Sequence, residues 1–273
     1  MFPGATADRE AASYVVVGAP LDATTTFQPG ARFGPDRIRR FAESYDNYDH
    51  RTGQQFTDLG VHDAGNVRAW DAVAEYCEYL GGQLRDIVWD EAVPLVLGGE
   101  HTVTVPAVEA VEPDVFVCLD AHLDLRKAYD GNDWSHACVT HRVLQTVDKA
   151  IILGARTGSA DEWARAQQDD ITVIAPQSVD EWLADPPSFA EKSVYLSLDI
   201  DAADPSYAPG TGTMEPFGLS GNQLREVVRH VAPYCEGFDI VEVNDRDDGQ
   251  AAALAGKLLR EFVFGHTAGV DSL

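Results

Sequence analysis

The chain is short of lysine: four of its twenty basic residues, the rest being arginine, set against 45 aspartates and glutamates for a formal charge of −25. No basic patch survives that background. Nucleic acid and anionic membranes are thereby excluded as partners, because both are held by clustered cations. Cysteine is scarce and unpaired. Cys77, Cys118, Cys138 and Cys235 show no C-x-x-C spacing, so neither a thiolate zinc knuckle nor a disulfide framework is expected. Long apolar runs are missing too. None approaches the roughly 20 residues of a spanning helix, and the opening "MFPGATADREAAS" has no basic region followed by an apolar one. A cytoplasmic protein without internal repeats or low-complexity blocks is expected.

What is present is a 273-residue chain with 45% hydrophobic residues, enough to bury a sizeable core in one α/β domain spanning 1–273. At that apolar content the acid excess does not signal disorder. It resembles the composition of proteins from salt-loving organisms, in which salt screens the self-repulsion. Strand-like apolar runs at 14–20, 93–99, 115–122, 149–155, 171–176, 193–201 and 237–244 alternate with amphipathic stretches at 34–43, 71–90, 102–111, 136–147, 159–169, 219–232 and 248–264. That alternation predicts a mostly parallel sheet covered by helices on both faces.

In such sheets ligands bind beyond the carboxyl ends of the strands. Polar residues fall there repeatedly: Glu100 and His101 after one run, Asp120, His122 and Asp124 after the next, Asp199 and Asp201 after a third, Glu242 near the end of a fourth. The D-x-H-x-D spacing places its three ionisable groups on one face of an extended chain. They would repel each other and resist burial unless something positive sits between them. With His101, the candidate ligands are four carboxylates and two imidazoles. One divalent ion leaves that set strongly anionic, whereas two balance it, and oxygen-rich ligands with a minority of imidazole suit Mn²⁺ better than Zn²⁺.

In order along the chain, "GGEH" (98–101), "LDAHLDLR" (119–126), "SLDIDAADPSYAPGTGT" (197–213) and "EVN" (242–244) resemble the four signature blocks of the ureohydrolases, the family of arginase and agmatinase. "FQPGARFGPDRIRR" (27–40) resembles an N-terminal block common in agmatinases, and "SHA" (135–137) is similar to their loop after D-x-H-x-D. The resemblance spans essentially the whole chain. It implies a three-layer α/β/α fold, two Mn²⁺ per chain, and hydrolysis of a guanidino compound to urea and an amine. Agmatine, giving putrescine, is the first expectation. Carried over by position, His101, Asp120, Asp124 and Asp199 would hold one Mn²⁺ and Asp120, His122, Asp199 and Asp201 the other, with Asp120 and Asp199 bridging. The pair would turn water into hydroxide near neutral pH for attack on the guanidinium carbon.

The resemblance also implies that His136 moves protons and that Glu242 holds the guanidinium by a charge-assisted hydrogen bond. By residue type alone, His136 reads equally as a helix cap and Glu242 as a strand-end acid. The loop "KAYDGNDWS" (127–135) is expected to meet the substrate tail, with Asp130 or Asp133 attracting an amine and Arg126 and Lys127 opposing it in charge. Three departures from the family pattern touch no expected ligand: Glu100 where Asp is usual, Asp245 where Pro is common, and "TMEPFG" (213–218) in place of a Pro- and Gly-rich run. They bear on the substrate and leave arginine, guanidinobutyrate and formiminoglutamate beside agmatine. A deacetylase-like single-zinc site lacks counterparts of His101 and Asp201, and a non-catalytic paralogue would keep the fold for assembly alone. Family members form trimers or hexamers, so a homo-oligomer is expected.

Overall fold

The apolar runs become strands, most of them buried on both faces; the edge run at 171–174 is half-buried. In the computed structural model, which describes residues 1–270, the strands are β1 (Tyr14–Ala19), β2 (Tyr48–Asp49), β3 (Gln54–Gln55), β4 (Val61–Asn66), β5 (Val93–Gly98), β6 (Val115–Leu119), β7 (Lys149–Leu153), β8 (Ile171–Ile174), β9 (Val194–Asp199) and β10 (Cys235–Val241). The helices are α1 (Gly34–Ala42), α2 (Val73–Trp89), α3 (Thr104–Val111), α4 (Val139–Val143), α5 (Ala160–Arg165), α6 (Val179–Ala184), α7 (Gly221–Val231) and α8 (Gln250–Val270). Strands β2 and β3 pair as a small separate hairpin; the other eight form one parallel sheet in the order β4-β1-β5-β10-β9-β6-β7-β8.

Alternate residues of each strand enter different cores. On one face Val16, Leu97, Leu119, Leu198 and Ile240 pack against α1, α7 and α8 through Ile38, Leu224, Val228, Leu259 and Phe262. On the other, Val17, Val96, Cys118, Tyr195 and Val241 pack against α2, α3 and α4 through Tyr76, Leu80, Val108 and Val143. The result is the three-layer α/β/α fold expected from the alternation. No described helix is long and apolar enough to cross a membrane.

Besides the β2–β3 hairpin, two elements were not expected. β4, "VHDAGN", is an edge strand with half-exposed polar residues and lacks the apolar continuity that marks the others. It is pinned by the buried Asp63, whose two oxygens each accept from Arg39 of α1 at 2.8 Å. Helix α6 is only six residues long, too short for a periodic signal.

The four strands that end in candidate site residues, β5, β10, β9 and β6, are consecutive neighbours at the middle of the sheet. Their register aligns those ends: Leu119 pairs with Leu198, Val241 with Asp199, and Ile240 with Leu97. Residues scattered over 140 positions of sequence are thus delivered to one short stretch of rim.

Candidate metal centre

The D-x-H-x-D residues do converge, but not as the face of an extended strand. β6 stops at Leu119, and Asp124 has a left-handed φ of +50°. A turn does the work instead: the His122 N–H donates to Asp120 Oδ1 at 2.7 Å. The second motif repeats the device, with the Asp201 N–H donating to Asp199 Oδ1 at 2.9 Å as the chain enters a 3₁₀ turn over Ile200–Ala202. Each bridging candidate therefore has one carboxylate oxygen tied to its own backbone. The Ala121 N–H donates to Asp201 Oδ1 at 3.1 Å and links the two motifs.

Around the His101 Nδ1 atom stand Asp124 Oδ2 at 3.0 Å, Asp120 Oδ2 at 3.2 Å and Asp199 Oδ2 at 3.6 Å. Around His122 Nδ1 stand Asp201 Oδ2 at 3.0 Å and Asp120 Oδ1 at 3.5 Å. Asp120 faces both imidazoles, and the carboxylates of this set are buried. Their protonation shows what the pocket demands. Burial, and after it the neighbouring carboxylates, push Asp124 upward and Asp199 well upward. Asp120, despite burial that would raise it, is held well below the carboxylate range by the two imidazoles it faces, His101 and His122. Burial disfavours charge on both imidazoles, yet the facing aspartates raise both far above the usual value. The pocket calls for positive charge between its ligands.

The polar atoms behind His101 show which form of that charge fits. Ser197 Oγ donates to Asp239 Oδ1 at 2.6 Å, and Tyr195 OH donates to Asp239 Oδ2 at 2.9 Å. With its hydrogen spent on Asp239, Ser197 Oγ can only accept from His101 Nε2, 3.2 Å away. The proton of a neutral His101 is thereby placed on Nε2, and Nδ1 presents its lone pair. That Nδ1 atom is buried and has no hydrogen-bond partner. An imidazole fixed in one tautomer from behind, with an unpartnered lone pair facing carboxylate oxygens, fits a metal ligand. Asp120, His122 and Asp201 form a second group whose ligand atoms lie close enough to share an ion. The Cys118 thiol lies 3.9 Å from both His101 Nε2 and Asp120 Oδ2, within reach of the first group, but burial pushes it up and keeps it in the neutral thiol form, packed in the core.

Beside this cluster, Glu242 follows β10 with a left-handed φ of +60°, its N–H bound to Gly99 O at 2.8 Å. Glu242 Oε1 accepts from the His101 N–H at 3.0 Å and from His136 Nδ1 at 3.1 Å. The two residues expected to act separately are hydrogen-bonded to each other. Burial works against an imidazolium at His136, but Glu242 more than offsets it and raises His136 to about 9. Glu242 is lowered in turn by His136, again against burial. A cavity of about 270 Å³ opens over Asp124, Asp199, Asp201, His122, His136 and Glu242.

Residues 12–265 match the sequence model of the arginase family. The chain belongs to the arginase family. It is 33% identical to the agmatinase of Pyrococcus horikoshii, covering 96% of this chain and 95% of that one. It is 35% identical to the N(1)-aminopropylagmatine ureohydrolase of Thermococcus kodakarensis over 92% of this chain and 89% of that one. Its fold superposes on the crystal structure of the agmatine ureohydrolase of Thermoplasma volcanium with a TM-score of 0.92, at 31% identity and with 99% and 95% of the two chains covered.

Within this arginase-family site, Asp130 and Asp133 do not take the place expected of them. Both are exposed, and neither lines the cavity. A tight hairpin, closed by reciprocal 2.9 Å hydrogen bonds between Tyr129 and Asn132, carries Asp130 at its tip with a φ of +48°. Away from the ligand cluster the cavity is lined instead by Arg126, Tyr129, Ser159, Glu162 and Thr213. Glu162 is already engaged, accepting from the Leu125 N–H, the Ser159 N–H and hydroxyl, and Arg126 Nε.

Two groups of residues escaped the sequence reading. One is Asp239 with Ser197 and Tyr195; its signal was an acid in the interior of an apolar strand, which must be partnered there. The other is Arg156, just past β7. It donates to the carbonyls of Asp201, Ala202, Ala203, Glu215 and Pro216 at 2.6–3.3 Å and so fastens the loop that follows the second aspartate motif. An arginine after an apolar strand carries no periodic signal and was not separable from a surface residue.

Proposed function

We propose that this arginase-family hydrolase is a dinuclear manganese enzyme that cleaves agmatine to putrescine and urea. The observation that carries the reading is the juxtaposition of an anionic ligand cluster, with the His101 Nδ1 lone pair aimed into it, and the Glu242–His136 pair on the adjoining wall of one cavity. His101, Asp120, Asp124 and Asp199 would hold one ion, and Asp120, His122, Asp199 and Asp201 the other. When bound, such a pair lowers the pKa of water and polarises the group under attack. Mn²⁺ is favoured because carboxylate oxygens outnumber imidazoles in the set.

The chain's own residues supply the rest. Both hydrogen bonds that Glu242 accepts fall on Oε1, so Oε2 is the oxygen available to a guanidinium N–H, and the carboxylate stays ionised to receive a cation. His136, at about 9, is protonated near neutral pH and can give a proton to the leaving amine. The two steps are linked, because the carboxylate that orients the substrate also sets the proton affinity of the imidazole. Agmatine is preferred over anionic guanidino acids because several relatives, those of Pyrococcus horikoshii and Bacillus subtilis among them, are named agmatinases; the human mitochondrial guanidino acid hydrolase, 34% identical, keeps the guanidino acids in the comparison. The test is urea release with added Mn²⁺ in molar KCl, comparing agmatine, arginine, guanidinobutyrate and formiminoglutamate. Agmatine should give the highest kcat/KM, and His136→Asn should lower kcat about a hundredfold. No urea from any of the four would refute the hydrolase reading.

A further inference from the structure

The loop between β1 and α1 passes directly over His136, and it is held from beneath by Glu100, a wholly buried carboxylate outside the ligand cluster. The Thr24 N–H and hydroxyl donate to Glu100 Oε2 and Oε1, both at 2.7 Å, and the Thr25 hydroxyl adds a longer contact at 3.4 Å. The far end of the loop is closed by Asp22, which accepts from the Gly30 N–H at 3.0 Å and from Arg32. The Thr24 hydroxyl oxygen also accepts from the His136 backbone N–H at 3.0 Å, so the loop and the histidine are tied at the main chain.

With the loop held in this way, Thr26 reaches the imidazole itself. Its N–H lies 3.2 Å from His136 Nε2 and its hydroxyl 3.0 Å from the same atom. A backbone N–H can only donate. In the neutral ring Nε2 therefore presents a lone pair to Thr26 and the proton sits on Nδ1, where Glu242 Oε1 accepts it at 3.1 Å; in the imidazolium the Nε2–H is directed at the Thr26 hydroxyl oxygen. Thr26 is exposed and lines the cavity mouth, so its hydroxyl touches both the imidazole and solvent.

We infer that Thr26 is a positioning residue for His136. It holds the imidazole in the Nδ1–H tautomer and links Nε2 to water through its hydroxyl, and Glu100 anchors it through Thr24. The inference rests on the reading of His136 as the proton carrier. In the relay, once the imidazolium has given a proton to the leaving amine, the Thr26 Oγ1–H bond breaks as its proton passes to Nε2 and Oγ1 takes a proton from a water, which leaves as hydroxide; the reverse step delivers a proton to solvent. Glu at position 100, rather than the shorter Asp, supplies the reach to bind the N–H and hydroxyl of Thr24 together.

The test uses Thr26→Val, which keeps the backbone N–H and the shape and deletes the hydroxyl, with Thr26→Ser as its rescue. Steady-state kinetics on agmatine with Mn²⁺ in molar KCl are run in H₂O and D₂O beside His136→Asn. Thr26→Val should lower kcat about tenfold, below the usual range for a general acid-base group because water can replace part of the relay. KM should stay within about twofold. The solvent isotope effect on kcat should rise as proton transfer becomes more limiting, and Thr26→Ser should recover most of the loss. A simple substrate contact would raise KM, and a purely structural role would leave the isotope effect where it was; either result overturns the inference. If His136→Asn loses turnover while Thr26→Val keeps wild-type kcat and isotope effect, the relay alone has failed. If His136→Asn itself keeps wild-type kcat, the proton-carrier reading has failed and takes the relay with it.

Discussion

Replacing Glu242 by Gln is the most informative single perturbation of the site, because it removes a charge shared by substrate binding and proton transfer. Beside Glu242, His136 is raised from 6.5 to about 9. At about 1.4 kcal/mol per tenfold change in proton affinity, that difference is worth about 3 kcal/mol. The sign follows from the direction of the change. A folded-state value above the unfolded one gives stability that is fully present below pH 6.5 and is lost as pH rises through about 9. In Glu242→Gln the largest attraction is gone, and burial, the largest influence on this imidazole, is opposed only by the weaker attraction of Asp124 and Glu100. The wild type should therefore be more stable than the variant by an amount that shrinks by about 3 kcal/mol between pH 6 and pH 10. Urea unfolding midpoints of both proteins, measured across that range at constant KCl after removal of metal with a chelator, give the difference directly. A difference that stays level from pH 6 to 10 would show that the pair is not coupled in the folded chain and would remove the basis for assigning His136 a proton-carrying role.

The other expectations concern the ligands, the backbone and the solvent. Asp124→Asn tolerates the left-handed backbone at that position, where alanine would add strain. It should weaken metal binding at least about tenfold in a chelator competition while leaving far-UV circular dichroism unchanged; unchanged affinity would take Asp124 out of the ligand set. Gly99→Ala would place a Cβ 2.0 Å from the Leu21 carbonyl oxygen, backbone against backbone. It should cost roughly 3 kcal/mol or more in unfolding free energy, and an unaltered denaturation midpoint would contradict that close approach. Stability should rise with KCl over molar concentrations as salt screens the −25 formal charge; a melting temperature that is flat or falls with salt would count against an adaptation to brine.

What was legible in the sequence was whatever repeats with the period of the chain or concentrates chemistry at a strand end. Seven strands of the eight-stranded sheet were expected, because each lies in an apolar run; β4 was not, because an edge strand may carry "VHDAGN" once Arg39 binds its aspartate. The six ligand candidates were legible by type and spacing, but the geometry attributed to them was not. Extended alternation was the wrong device for Asp120, His122 and Asp124, since the turn at Asp120 and the left-handed Asp124 replace it. Gly99 is required by the Leu21 backbone pressed against it, a close approach that the letters GGEH do not reveal. The Thr24–Thr26 loop and Arg156 were invisible because each acts through a partner at least 45 positions away, and Asp239, though marked by its place inside an apolar strand, acts through Ser197, 42 positions away.

Those distant partners explain how a crowded anionic cluster can keep one geometry. Left to themselves, carboxylates at 3.0–3.6 Å from a shared imidazole would rotate away from one another into solvent. Here rotation is opposed at the backbone: Asp120 and Asp199 each spend one oxygen on the N–H two residues ahead, and Asp201 spends one on the N–H of Ala121. The free oxygens are left pointing at His101 and His122. His101 is held in turn by Ser197 and Asp239 from inside the sheet, where β9 and β10 are neighbours with Ser197 and Asp239 in register. Little side-chain freedom remains to be lost when cations enter, so the cost of assembling the ligands is met during folding rather than at binding. The price is a metal-free chain carrying mutual repulsion and two left-handed non-glycine residues, Asp124 and Glu242, at its centre. Metal binding relieves the repulsion, so added Mn²⁺ should raise the unfolding midpoint of the wild type and do so much less for Asp124→Asn.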